Sequence, residues 1–195
     1  MSFKQYRTLD LCIWCLLYIV FEYITVKAAT VWFDEPYSIS LMLPLLLIVM
    51  MRWDKYSIFQ AVLSAILFTV DMKGSFTQML IYLVGNLGFM LNLFYLKKFT
   101  KEKVADSLLL SELYVICGFI LMEVFRGLAS IVIVGSPLGV IKEFILTDML
   151  TLVFSMVVIF LVRRINDLFV DQKAYLLKLK QQNSSNEMEE RDYER

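Results

Sequence analysis

Eight acidic or basic residues lie inside otherwise apolar stretches of the sequence: Glu22, Lys27, Glu112, Glu123, Arg126, Lys142, Glu143 and Asp148. Gln60, Gln78, Asn86 and Asn92 add amides to the same stretches. An ionised group at bilayer depth costs a few kcal/mol or more, so such groups pair or serve a site. Glu123 and Arg126 are three apart and share a helix face, as do Asp148 and Thr151. A short connection, Gly135 to Pro137, joins the two stretches and makes them antiparallel neighbours, so Arg126 can meet Asp148 across the pair. Two readings stand. Glu123, Arg126, Asp148 and Asn86 line an outward-facing cavity for a small polar or zwitterionic ligand, capped by stacking Trp32, Phe33 and Tyr37. Alternatively, the charges form an ion-pair network that only fixes helix packing.

Other chemistry is excluded or weak. The chain has no histidine, which removes Ser-His and Cys-His nucleophiles, histidine zinc sites and histidine-ligated haem. Cys12 and Cys15 form a C-x-x-C inside an apolar run without a second pair, and read as small apolar fillers. No metal or cofactor is expected. Glu123 and Asp148 are paired carboxylates of the kind used for acid–base work, but no nucleophile or metal motif accompanies them, so an enzyme is not expected. A net charge of zero gives no electrostatic case for nucleic acid.

The elements that must position these residues are membrane helices. The 195 residues are 59% hydrophobic with a mean hydropathy of +0.66, against roughly 45–50% apolar in soluble domains. Six apolar runs are found, at about Leu9–Val31, Tyr37–Met51, Tyr56–Val70, Phe76–Leu96, Ser107–Val134 and Leu138–Val162. The second and third are short for a span of about 20 residues. With the N-terminus in the cytoplasm, 15 of the 19 Lys and Arg residues fall on the inside and only Lys73 on the outside. That asymmetry obeys the positive-inside rule. The expectation is an all-α integral membrane protein of the bacterial cytoplasmic membrane, with six transmembrane helices and both termini cytoplasmic. Residues 1–164 form that domain, 165–180 an amphipathic cytoplasmic helix, and 181–195 a polar disordered tail.

Ala61 and Ala65 make a small-xxx-small pair suited to close helix contact, within the chain or with a partner. Gly85 and Gly88 flank Asn86 and permit either close helix packing or approach of a ligand.

Six short-looped spans, both termini inside, and a polar pocket in the outer half resemble the substrate-binding S components of energy-coupling-factor vitamin transporters. The stretches Ile81-Tyr82-Leu83-Val84-Gly85-Asn86 and Asp171-Gln172-Lys173-Ala174-Tyr175-Leu176-Leu177 are loosely similar to such proteins. The resemblance implies capture of a micronutrient from the outer side. It also implies docking on a T-type membrane subunit served by two ATPases, which would supply the Walker A motif this chain lacks. The family often carries its Ala-x-x-x-Ala docking surface on the first helix, whereas here the pair is Ala61–Ala65 in the third run. In size and hydropathy the chain is also similar to multispan rod-shape-determining proteins, which implies a scaffold or accessory role without a pocket.

Overall fold

The computed structural model describes residues 2–28, 39–165 and 167–193, with side chains placed through residue 182. Among these residues every regular element is helical. Helix α1, Phe3–Lys27, starts on a capping box: Ser2 Oγ accepts from the Gln5 backbone N–H, and Gln5 Oε1 accepts from Ser2 N–H. Trp14, Tyr18, Glu22 and Val26 recur every fourth residue and form its buried stripe. The opposite face, with Leu9, Ile13, Leu16, Val20 and Ile24, is exposed and equally apolar. Helix α9, Met149–Val162, likewise exposes Leu150, Val153, Val157 and Leu161 at helical spacing. Soluble monomers rarely expose contiguous apolar faces of this extent.

Among the described residues, three helical stretches are long and apolar enough to cross a membrane: Phe3–Lys27, Phe76–Phe99 and Leu108–Val134. Helix α8, Val140–Thr147, and α9 make a fourth if their 47° bend is taken within one span. The six runs are therefore not six equivalent helices. Helix α2, Met42–Trp53, has 12 residues and α3, Ile58–Asp71, has 14. At 1.5 Å per residue they reach about 18 and 21 Å, against ~30 Å of hydrocarbon.

Helix α2 is also unlike the others in its surroundings: all 12 of its residues are buried. Helices α1, α3 and α9, with α7 (Leu108–Val134) and α10 (Gln172–Tyr193), pack around it. Pro44 is its third residue, in the first turn, where the missing N–H has no intrahelical partner to lose. This is why a proline inside the apolar run does not break it.

Helix α4, Phe76–Gly88, opens on a second capping box, Ser75 with Gln78. Gln78 is thus spent on the helix end. A 3-10 turn, Phe89–Asn92, passes it into α5, Leu93–Phe99, and α6, Lys101–Asp106, follows. Helix α7, Leu108–Val134, lies along α4. That contact depends on glycine: a Cβ on Gly85 would overlap Arg126 Cγ, and one on Gly88 the Phe125 ring. Gly135 ends α7 in the left-handed conformation at φ 74°.

Beyond α9 the described residues 163–165 and 167–171 turn rather than continue as a helix. Phe169 is buried there beside Tyr114, with ring centroids 6.5 Å apart. Asp171 Oδ1 then accepts from the N–H groups of Lys173 and Ala174, and starts α10, Gln172–Tyr193. This helix extends to Tyr193, into the stretch expected to be a disordered tail.

Candidate functional site

The site forms where α4, α7 and the α8–α9 break meet. Arg126 points from α7 into the bundle, with its side chain 6% exposed. Its Nη1 donates both to Glu123 Oε1 at 2.8 Å and to Asp148 Oδ2 at 2.7 Å. The first contact follows from the i, i+3 spacing on one helix face. The second crosses between antiparallel neighbours, and Asp148 is the residue at which α8 and α9 part. Nη2 makes a long 3.4 Å contact with Asn86 Oδ1. The guanidinium carbon lies 4.8 Å from the centroid of the Tyr82 ring, at cation–π distance.

Two carboxylates therefore share one nitrogen, while the rest of the guanidinium is little used. Arg126 Nε and Glu123 Oε2 are buried and have no hydrogen-bond partner among the described residues. A guanidinium offers five donors, and a packing ion pair at bilayer depth is expected to be fully satisfied. A cavity of about 140 Å³ adjoins it, lined among others by Arg126, Asp148, Asn86, Tyr82, Ser64 and Ser40. Beyond Phe68 and Tyr82 lies a second cavity of about 160 Å³, reaching Gly74 and Gln78. The two rings meet edge to face at 4.8 Å and line both spaces.

Asn86, expected as a ligand contact, also serves the bundle: its Nδ2 donates to Ala61 O at 3.1 Å and Ser64 Oγ at 2.9 Å. Ala61 and Ala65 are 0% and 1% exposed. Their small side chains admit neighbouring helices and leave no exposed surface at this pair for a partner to dock on. Trp32 and Tyr37, expected over the mouth, lie outside the described residues.

Sequence reasoning left one neighbouring cluster out of the site. Glu22, 1% exposed, accepts from Ser40 Oγ through both carboxylate oxygens at 3.1 Å. Ser40 N–H in turn donates to Thr151 Oγ1 at 3.1 Å. Glu22 stands in the every-fourth buried stripe of α1, which is the signal that turned it inward. Ser40 carries no such signal. Among the described residues, no group of His, Cys, Asp or Glu could hold a metal ion.

No family model matches the chain, nor does any curated protein or solved structure.

Proposed function

We propose that the chain is a membrane-embedded capture subunit that takes a small polar ligand from the outer side, with Arg126 as its principal contact. The observation that carries this reading is a buried arginine that lines a cavity with part of its donor set unspent, at the point where a membrane helix is broken. Broken helices at bilayer depth are tolerated where they line a cavity, and they recur at transporter binding sites. The ligand is small. The inner chamber is below the roughly 300–1,000 Å³ of drug-sized sites, and only with the outer one does the space reach about 300 Å³. Arg126 receives an acidic or carbonyl group, and Asp148 or Glu123 a basic or hydroxyl group.

In this reading the chain crosses the bilayer six times with both termini in the cytoplasm, α2 and α3 being short crossings sheltered by their neighbours. The side with nearly all of the Lys and Arg residues is the cytoplasm. By resemblance to energy-coupling-factor S components, transport is completed with a T-type membrane subunit and two ATPases. The competing scaffold reading is favoured by the intramolecular pairing of Arg126, which shows the network to be self-supporting in part.

The test is purification from native membranes with identification of bound small molecules and proteins by mass spectrometry. A polar compound retained by the native chain and reduced tenfold or more in Asp148→Asn supports capture. Recovery of cell-wall synthesis proteins without any small molecule supports the scaffold.

A further inference from the structure

Among the described residues, a concentration of positive charge lies at the opposite end from the Arg126 chamber. A cavity of about 470 Å³ opens there between the starts of α1 and α10, the end of α2, and α5 and α6. Six basic side chains and one acid, Asp54, line it. Two of the six are spent. Arg52 pairs with Asp10 at 2.8 Å and donates to the Asp167 and Leu168 carbonyls. Lys101 bridges Asp54 at 2.7 Å and Asp171 at 3.1 Å. The other four, Arg7, Lys55, Lys97 and Lys173, have no carboxylate within 4.0 Å among the described residues.

The spent pairs hold the walls in place. Asp54, Thr100 and Asp167 all have positive φ, 52°, 58° and 68°, a conformation costly for residues with a Cβ. Two of these turns are tied by the spent cations: Lys101 grips Asp54, which lines the cavity, and Arg52 grips the Asp167 carbonyl. Three of the unspent cations, Arg7, Lys55 and Lys97, stand over rings. The Arg7 guanidinium is 3.8 Å from the Tyr56 centroid, and Lys97 Nζ is 5.4 Å from that of Phe94. Phe3, Trp53, Leu93 and Leu96 complete an apolar floor, and the 65%-exposed Phe94 lies on the outer face of α5 just beyond it.

Unneutralised cations above an apolar floor, at the end of membrane-length helices, suit a ligand that is anionic at one end and apolar at the other. We infer that this cavity binds the phosphate headgroup of an anionic membrane lipid, with Arg7, Lys55, Lys97 and Lys173 as its charge contacts and the acyl chains along the exposed face of α5. Basic pockets between helices at the cytoplasmic interface are the usual form of such sites, and each cation near the surface strengthens binding severalfold. The volume lies within the range of small-molecule sites. The inference is independent of the capture reading and uses none of its residues.

The experiment uses the full-length chain in detergent, titrated with phosphatidylglycerol, with phosphatidylcholine of the same acyl chains, and with glycerol 1-phosphate as the free headgroup chemistry. Binding is read by native mass spectrometry. The double variant Lys55→Gln/Lys97→Gln alters two exposed side chains without an ion pair. The control double variant Lys4→Gln/Lys98→Gln removes equal charge outside the cavity. The native chain is expected to prefer phosphatidylglycerol to phosphatidylcholine by tenfold or more. The pocket variant should lose about ten- to thirtyfold of that preference, and the control should keep it. Equal binding of the two lipids, or equal loss in both variants, overturns the site. Glycerol 1-phosphate binding as tightly as the lipid overturns the lipid source and assigns the cavity to a soluble phosphorylated compound.

Discussion

Arg126 holds two acids on one nitrogen, and the acids differ in exposure: the Glu123 side chain is 0% exposed and that of Asp148 24%. Removing the cation strands both. Arg126→Ala is expected to destabilise the protein by about 3–5 kcal/mol, the cost of leaving a buried charge without its partner, seen as a lowered midpoint in detergent thermal denaturation. Asp148→Asn keeps the shape and leaves Glu123 in place, so its cost should be about 1–2 kcal/mol. Such a variant stays folded and is the useful one for binding work. Gly85→Ala places a methyl group where the Arg126 side chain passes. It should cost about 1–3 kcal/mol by overpacking and disturb the site without touching a charge, both measurable on one purified sample. The meeting of Arg126 and Asp148 was legible in the sequence, because charges at this depth must pair and the short Gly135–Pro137 connection leaves few partners. The idle Nε edge was not legible. It depends on both carboxylates choosing the same nitrogen, which is a matter of helix register to a fraction of a turn. Ser40 was missed because an uncharged residue before a helix carries no depth penalty to advertise it.

Among the elements, the capped starts of α1 and α4 could be read in advance from Ser-x-x-Gln at residues 2–5 and 75–78, although the sequence reading took Gln78 as an intramembrane amide. Ser75→Ala should cost about 1 kcal/mol. The environment of α2 was not legible, since a run of apolar residues reads the same whether protein or lipid surrounds it. The difference has an energetic signature. Leu46 and Leu47 of α2 are 0% exposed and Leu161 of α9 is 54% exposed. Leu47→Ala is expected to lose about 2–5 kcal/mol by cavity formation, while Leu161→Ala stays within about 0.5 kcal/mol. Comparing their denaturation midpoints checks the assignment of α2 to the interior. The break at Asp148 was hidden for a related reason. No proline or glycine marks it, and what distinguishes it is that Asp148, at the break, pairs with Arg126 of another helix.

For the molecule as a whole, apolar surface in place of a polar exterior was legible from composition, but the number of crossings was not. Among the described residues, length and composition support three helices, or four with the bent pair. The proposed six-crossing arrangement puts the α3–α4 turn outside and the Lys97–Lys98 end inside. Starting from a chain without Cys12, Cys15 and Cys117, Lys73→Cys should react with an impermeant maleimide on intact cells, and Lys98→Cys only after lysis. The reverse pattern inverts the orientation, and reaction of both on intact cells removes the six-crossing topology.

The complete enclosure of α2 bears on how the chain is made. Its walls include α7 and α9, which leave the ribosome long after it does. During synthesis this segment has to be kept provisionally, in lipid or within the insertion machinery, until the later helices close around it. Nascent chains halted before α7 should therefore be prime substrates for membrane quality control, whatever the finished protein binds.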